Sequence, residues 1–438
     1  MYTSYELLLA ELDLREQQGY VAEVLAEIRA AVTPQPHTDL TPYWQQLETV
    51  PSRENWPYHE PVTLDDIQAT IMPAKPLPPV AADEILRCIH GGVLGRCVGM
   101  MVGKPLEGTN PPAQIWEYLR RAHAYPLRDY VPLLQPFPQD IAIPPWSRWH
   151  DTTQGNIQRT VRDDDIDYMI TATLILQRYG FDFAPTDVGQ FWLQHFAYEQ
   201  VYTAERVLYR HLVNGVDVGT AVTLQNPYRE WIGAQIRADV YGYVLPGQPR
   251  RAAALAYQDA SLSHMRNGVY GAMWVAAMVA AAFALDEPEA IVQAGVAEIP
   301  PHSRLAEAIR DVMAWVAMEQ SWEAVWEQIE RKYGRYYKTD EGANWVHTIP
   351  NACLVALGLL YGQGDFGVSV ATAVMGGWDT DCNGATVGSI LGVMLGADQI
   401  PVRWTEPLND EIESYIPGYN SLTISGLAQQ IADLALIA

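Results

Sequence analysis

The sequence predicts an all-α protein, built as a single large orthogonal multi-helix domain. Three observations predict it. From about Ala82 onward, nearly every long segment repeats its apolar residues at helical spacing. Strand-like alternation is scarce, and no βαβ rhythm occurs. Two glycine series, Gly91, Gly95, Gly99, Gly103 and Gly384, Gly388, Gly392, Gly396, recur every fourth residue, which places each series on one helix face. With 438 residues, 49% of them apolar and 18% charged, the chain can bury a sizeable interior.

Taken in order, residues 1–80 read as a helical N-terminal extension followed by an arm rich in proline and aromatic side chains. Leu7, Leu8 and Leu12, then Val24, Leu25 and Ile28, predict two short helices within residues 6–32. Pro34, Pro36, Pro42, Pro51, Pro57 and Pro61 predict an extended arm laid over the body. Residues 81–438 read as one all-helical domain. Helices are expected over Ile166 to Tyr179, Val188 to Tyr198, Ala252 to Leu262, Gly268 to Leu285, Leu305 to Met318 and Trp322 to Tyr333. Loops such as Pro132 to Trp149 separate them. The Gly268 run is apolar for about the length of a membrane span, but it is mostly alanine and has no companion, which predicts a buried core helix. Glycine inside a helix costs about 1 kcal/mol relative to alanine, so each glycine series costs roughly 3–4 kcal/mol. Such a cost is tolerated where backbones must approach closely, and the two series predict a tightly packed central helix pair.

The formal net charge is −24 and the pI about 4.7. That field repels nucleic acid and anionic lipid, so no nucleic-acid or membrane partner is expected, whereas cations are favoured. The four cysteines, Cys88, Cys97, Cys353 and Cys382, form no CxxC pair and lie in apolar or glycine-rich runs. A disulfide framework or thiolate zinc site is not expected, and a reducing cytoplasm fits best. The start lacks the basic and apolar regions of a signal peptide.

Three segments could carry chemistry. In Arg162-Asp163-Asp164-Asp165-Ile166-Asp167, four carboxylates fall within five residues at a helix start. Helix capping explains one or two of them; the rest repel one another unless a cation compensates. In Gly377-Trp378-Asp379-Thr380-Asp381-Cys382-Asn383, two acids straddle a threonine at the mouth of the second glycine helix. The pattern suits either an N-cap turn or a pair of hard oxygen ligands. In Gly103-Lys104-Pro105-Leu106-Glu107, the acid projects from a proline turn. Lys104 suggests a phosphate loop, but the GxxxxGK[ST] spacing and the preceding strand are absent, which rejects one.

Taken together, Gly91 to Glu107, Asp163-Asp164-Asp165 and Gly377-Trp378-Asp379-Thr380-Asp381 resemble, in order and separation, the three motifs of the ADP-ribosylglycohydrolase family. The resemblance covers roughly residues 82–400. It implies the family's all-helical fold and a pair of Mg2+ ions, with Mn2+ or Ca2+ as substitutes. It implies Asp164, Asp165, Asp379 and Asp381 as metal ligands, with Asp163 and Asn383 at the edge. Glu107 would orient ribose or water and move a proton, with Asp164 and Asp379 completing the catalytic set. Paired ions about 3.5–4 Å apart can activate a water for attack at an anomeric carbon. The chain departs from the pattern at Asp163, where a Thr or Ser ligand is usual, at Cys382, where a Thr is usual, at Ile166 and at the inserted Trp378.

Arg229, Trp231, His264, Asn267, His347 and Trp378 sit in polar, aromatic clusters that suit either structural roles or the lining of a substrate pocket. The reading is a hydrolase of an N- or O-ribosyl bond, with an ADP-ribosyl or smaller ribosyl compound as partner. Its leading form releases ADP-ribose from a modified side chain or small acceptor. A simpler riboside or nucleotide is the second form, which the acidic field and the shortage of arginines beyond Arg229, Arg237 and Arg266 favour mildly. A non-catalytic binding or structural member of the fold is the third. Oligomeric state is not expected from any of these residues.

Overall fold

The computed structural model describes residues 3–32, 39–73, 76–109, 112–141, 148–336, 338–339, 342–343 and 345–438. Helices dominate, and the strands among the described residues are two small antiparallel hairpins, Lys338–Thr339 with Gly342–Ala343 and Glu411–Glu413 with Ser421–Thr423. The expected helices are present at Asp164–Tyr179, Pro185–His195, Pro249–Ala260, Asn267–Ala281, Arg304–Met318 and Trp322–Tyr333. Pro185 and Pro249 stand in the first turns, where a missing N–H costs nothing. Part of the expected 132–149 loop, and Pro34 and Pro36 of the arm, lie outside the described residues. Every residue of Asn267–Ala281 is buried, so the alanine-rich run is a core helix. Among the described residues one segment, Ala82–Leu106, is long and apolar enough to cross a membrane, and 83% of its apolar window is buried inside the fold; Asn267–Ala281 is shorter.

The two glycine helices, Ala82–Gly103 and Thr380–Leu395, run antiparallel in direct contact through the centre of the domain. A Cβ placed on Gly91, Gly95 or Gly99 would collide with the backbone carbonyl of Gly392, Gly388 or Gly384, and each collision is reciprocated. At the end of the stripe Gly103 faces the backbone of Thr380, whose hydroxyl donates to the Gly103 carbonyl at 2.8 Å. Gly396 closes the stripe in a different way: it ends the helix at φ +80, against Arg87 and Gly91 of the first helix. Gly396 still faces the first helix, but the period there coincides with the helix end rather than with an interior turn. This antiparallel register has a functional consequence. It sets the turn after the first glycine helix, with Lys104 and Glu107, beside the first turn of the second, with Asp379 and Asp381.

The two helices expected in the N-terminal extension are present, Ser4–Gln17 and Ala22–Ala31, and the expected arm is itself partly helical, with Thr41–Leu47 and Leu64–Thr70. Leu8, Leu9, Leu12, Leu25, Ile28, Leu40 and Leu47 share a small core of their own. The N-terminal helices grip the body through apolar contacts, Leu7 with Ala204, Val207 and Tyr228, and Ile67 in the main core, and through buried ion pairs. Glu11 accepts from Arg229 at 2.6 and 2.8 Å, and Glu60 pairs with Arg304 at 2.8 Å. Arg304 also reaches Glu230 at 2.7 Å. Breaking a buried pair leaves an uncompensated charge and costs about 3–5 kcal/mol. Glu11→Leu, which strands Arg229, should lower the unfolding free energy from a urea titration by an amount in that range, while Glu23→Leu, at an exposed site, should leave it nearly unchanged.

Candidate functional site

Helix ends assemble the acidic site. Asp163 is the N-cap of Asp164–Tyr179, its side chain accepting from the Asp165 amide at 3.1 Å. Asp379 occupies the N-cap position of Thr380–Leu395, but its carboxylate makes no capping bond. Both helices present their positive N-terminal ends to the same place, which favours negative charge there. The Gly377 and Trp378 backbone, both at positive φ (86 and 60), turns the chain sharply into Asp379. The Trp378 carbonyl accepts from the Gly108 amide at 3.3 Å, tying this turn to the loop that carries Glu107.

Asp381 is the hub. Ligand atoms of Glu107, Asp379 and Asp381 lie within 4.8 Å of one another, and so do those of Asp165, Asp381 and Cys382. Lys104 Nζ stands between Glu107 Oε2 (2.5 Å), Asp163 Oδ2 (2.6 Å) and Asp381 Oδ2 (3.0 Å). Behind the site, Arg96 reaches Asp165 Oδ1 at 2.8 Å and Asp239 Oδ2 at 2.7 Å, and it donates to the Ile236 carbonyl. Asp167 faces away: it accepts from Arg162 at 2.8 Å and from Ser414 at 2.7 Å, and it is structural.

Burial sets the electrostatics. It raises the carboxyls of Glu107, Asp165 and Asp379 well above the usual range, with Asp381 adding repulsion to each and with Lys104 or Arg96 opposing at the first two. Asp164, half-buried, is pushed up to about 8 by burial and by Asp163. Burial also pushes Asp163 upward, but the Lys104 ammonium outweighs it and holds the carboxyl below its ordinary value. Lys104 is itself drawn down by burial and driven well up by Asp163, Asp381 and Glu107 together. A carboxyl that holds its proton at neutral pH must release it to bind a cation. Affinity for a divalent ion should therefore rise with pH through about 8, the value for Asp164. Calorimetry in buffers of different ionisation enthalpy reads the released proton directly.

The residues fit a hard divalent cation. Asp165 Oδ2 and Asn383 Oδ1 are buried and find no hydrogen-bond partner among the described residues. The donors are oxygens apart from Cys382, and oxygen suits Mg2+, Mn2+ and Ca2+. Burial, then Asp165 and Asp379, push the Cys382 thiol well up, so it stays protonated and donates weakly.

A sequence description of ADP-ribosylglycohydrolases matches residues 81–435. The chain belongs to the ADP-ribosylglycohydrolase family. The matched region begins where the N-terminal extension ends. A solved structure described as an ADP-ribosylglycohydrolase-related protein complex is similar at 18% identity and a TM-score of 0.48, covering 81% of this chain and 99% of that one. No curated protein matches the chain. Family and fold indicate a glycosidase of this all-α type.

Within this ADP-ribosylglycohydrolase fold, the residues singled out in the sequence take distinct places. Glu107, Asp163, Asp164, Asp165, Asp379 and Asp381 gather at the acidic site. Asp163 lies inside it, bonded to Lys104, and not at its edge. Asn383 Nδ2 donates to Asn351 Oδ1 at 2.8 Å, and the same oxygen accepts from the Asp379 amide at 3.2 Å. Asn351 in turn donates to the carbonyls of Trp345 and His347 at 2.8 and 2.9 Å, which links His347 to the acids. His347 caps the Thr348–Gly362 helix and stacks on Tyr336, 4.7 Å between centroids. Trp231 is half-buried, packs on Tyr228 and bridges to His347 through its backbone. Arg229 is held by Glu11, Asn267 donates to Glu60 and Glu230 at 2.8 and 3.0 Å, and His264 pairs with Ser263 at 2.8 Å.

Sequence reasoning passed over Arg96 as a site residue and set Lys104 aside, while Asn351 was read only as part of a polar cluster lining a pocket. Arg96 carried a signal: it is the one charged residue of the Gly91–Gly103 stripe, and a buried arginine requires a carboxylate. Replacing it with Leu frees Asp165 and Asp239 as unpaired buried charges. A loss of about 3–5 kcal/mol in a denaturant titration is expected.

Proposed function

We propose that the chain is a divalent-metal-dependent hydrolase of an N- or O-ribosyl bond. The observation that carries this reading is the convergence of carboxylates from three distant segments on Asp381, with Asp165 Oδ2 buried and unpartnered among them. Asp164, Asp165, Asp379 and Asp381 would hold the ion, with Asn383 beside them. A divalent ion bound there supplies Lewis acidity, lowering the pKa of a water and holding sugar hydroxyls. Glu107, on a loop at the rim with 14% of its side chain exposed, is placed to orient water or ribose and to accept or return the proton. Trp378, within the Asp379 turn, and His347, linked to that turn through Asn351, would bound the substrate.

Release of ADP-ribose from a modified side chain or small acceptor is the leading reaction, since the family suggests an ADP-ribosylated substrate. A specific observation favours a smaller riboside as the second reading. Of the arginines that could grip a pyrophosphate, Arg229 is committed to Glu11 and Arg237 to Glu205 and Asp259, both buried. Incubating ADP-ribosyl-arginine, ADP-ribosyl-serine, nucleosides and ribosides with Mg2+, Mn2+ or Ca2+, scored by mass spectrometry, tests both. Ion-dependent release of ADP-ribose supports the first, and release of ribose or ribose phosphate alone the second. If no compound in the set is cleaved with any ion, the enzyme reading gives way to a binding role for the fold.

A further inference from the structure

Lys104 is the first residue past the glycine stripe, in the short Lys104–Leu106 turn. Its backbone is held close to the second glycine helix: Gly103, just before it, lies against the Thr380 backbone so closely that no Cβ fits between them. The side chain is 9% exposed, and the ammonium has three N–H donors and no acceptor. Each donor has a carboxylate: Glu107 Oε2 at 2.5 Å, Asp163 Oδ2 at 2.6 Å and Asp381 Oδ2 at 3.0 Å. The three acids come from three segments far apart in sequence, and each is a residue the metal reading needs at or beside the ion.

We propose that the Lys104 ammonium is a resident cation of this centre, taking the place between Glu107, Asp163 and Asp381, so that the chain holds one divalent ion where its family resemblance implies two. The inference rests on the metal reading of the acidic site and sharpens it. An ion placed among those three oxygens would sit within bonding distance of a like charge, with no water between them to screen the repulsion. Lys104 takes one oxygen of Asp381, and the other remains for an ion with Asp165 and Asp379, whose ligand atoms each lie within 4.8 Å of Asp381's, beside Asp164 and Asn383 Oδ1. The proposal also accounts for the carboxylate at position 163. A hydroxyl there would leave the ammonium one anionic partner short, whereas Asp163 supplies both the third acceptor and the balancing charge.

Titration of the full, chelator-stripped chain with Mn2+, followed by calorimetry and by electron paramagnetic resonance, tests it without recourse to activity. The wild type should bind one Mn2+ per chain and show the resolved hyperfine lines of an isolated ion. Lys104→Met, which keeps the stem and removes the charge, should bind two, with those lines broadened by exchange between neighbouring ions. Lys104→Gln is the second variant should Lys104→Met fail a circular-dichroism check of its fold, and Lys104→Arg should still bind one. Two ions in the wild type overturn the proposal while leaving the metal reading intact. One ion in both the wild type and the charge-removed variants overturns it too, since the ammonium would then exclude nothing. No ion in any variant sinks both the proposal and the metal reading beneath it.

Discussion

Gly388→Leu should not reach the native fold, or should reach it with most of its stability gone. A Cβ at this position already collides with the Gly95 carbonyl, and the neighbouring obstacles are backbone atoms with no rotamer to yield. Overpacking a core by a few methylenes costs about 1–3 kcal/mol when side chains can shift. Here the two central helices must part, and a domain's whole stability is only about 5–15 kcal/mol. Gly388→Ala should follow the same direction to a lesser degree. Gly219→Ala is the control: it lies in a short helix where the nearest atom to an added Cβ is a side-chain oxygen at 3.4 Å. That change should stay within about 0.5 kcal/mol. Circular dichroism and urea midpoints decide the matter, and a Gly388→Leu protein with a wild-type midpoint would mean the helices do not touch as described. The loss should reach the site as well, because the same contact sets Lys104 and Glu107 against Asp381.

How much of this was readable in the sequence follows from which interactions are periodic. The glycine stripes declare themselves because a helix face repeats every three to four residues, and a backbone contact is the one explanation for glycine at each repeat. The same rule does not distinguish Gly396, where the period coincides with the helix end and the residue takes a positive φ. The acids were visible as clusters too dense for capping. Their common focus was not derivable from local pattern, since Lys104 and Asp381 are 277 positions apart. Lys104 was set aside as the remnant of an absent phosphate loop for that reason: its partners are visible only once the antiparallel register is known. Residues 1–80 were read as a helical extension and an arm laid over the body, yet Glu11 of the extension and Glu60 of the arm enter the body as buried counter-charges for Arg229 and Arg304. Nothing in either stretch signals that, because an acid on a surface helix and one bound for a distant arginine look alike in sequence. The polar clusters around Arg229 and Asn267 read as pocket lining for the complementary reason.

Glu107→Gln and Asp381→Ala should fail in different ways, and the difference separates the roles assigned to them. Asp381 belongs to both ligand groups and accepts from Lys104, so Asp381→Ala removes the hub. Metal binding and turnover should vanish together, and Asp379→Ala should do the same by removing a charged ligand. Glu107 stands at the rim, bonded to Lys104 and close to Asp379 and Asp381. An amide there keeps the shape, and its carbonyl oxygen still accepts from the ammonium, so the fold and most of the ion affinity should survive. What it cannot do is carry a proton between water and the leaving group. Loss of a positioned general acid–base group typically lowers turnover by about 10²–10⁴, which corresponds to a barrier raised by about 3–5 kcal/mol. Ion titration run beside a product assay on each variant distinguishes the outcomes. Full activity in Glu107→Gln would make Glu107 a spectator and pass the proton to Asp164 or Asp379, the other two acids expected to act in catalysis. Lost ion binding in the same variant would make it a ligand first and a proton carrier second.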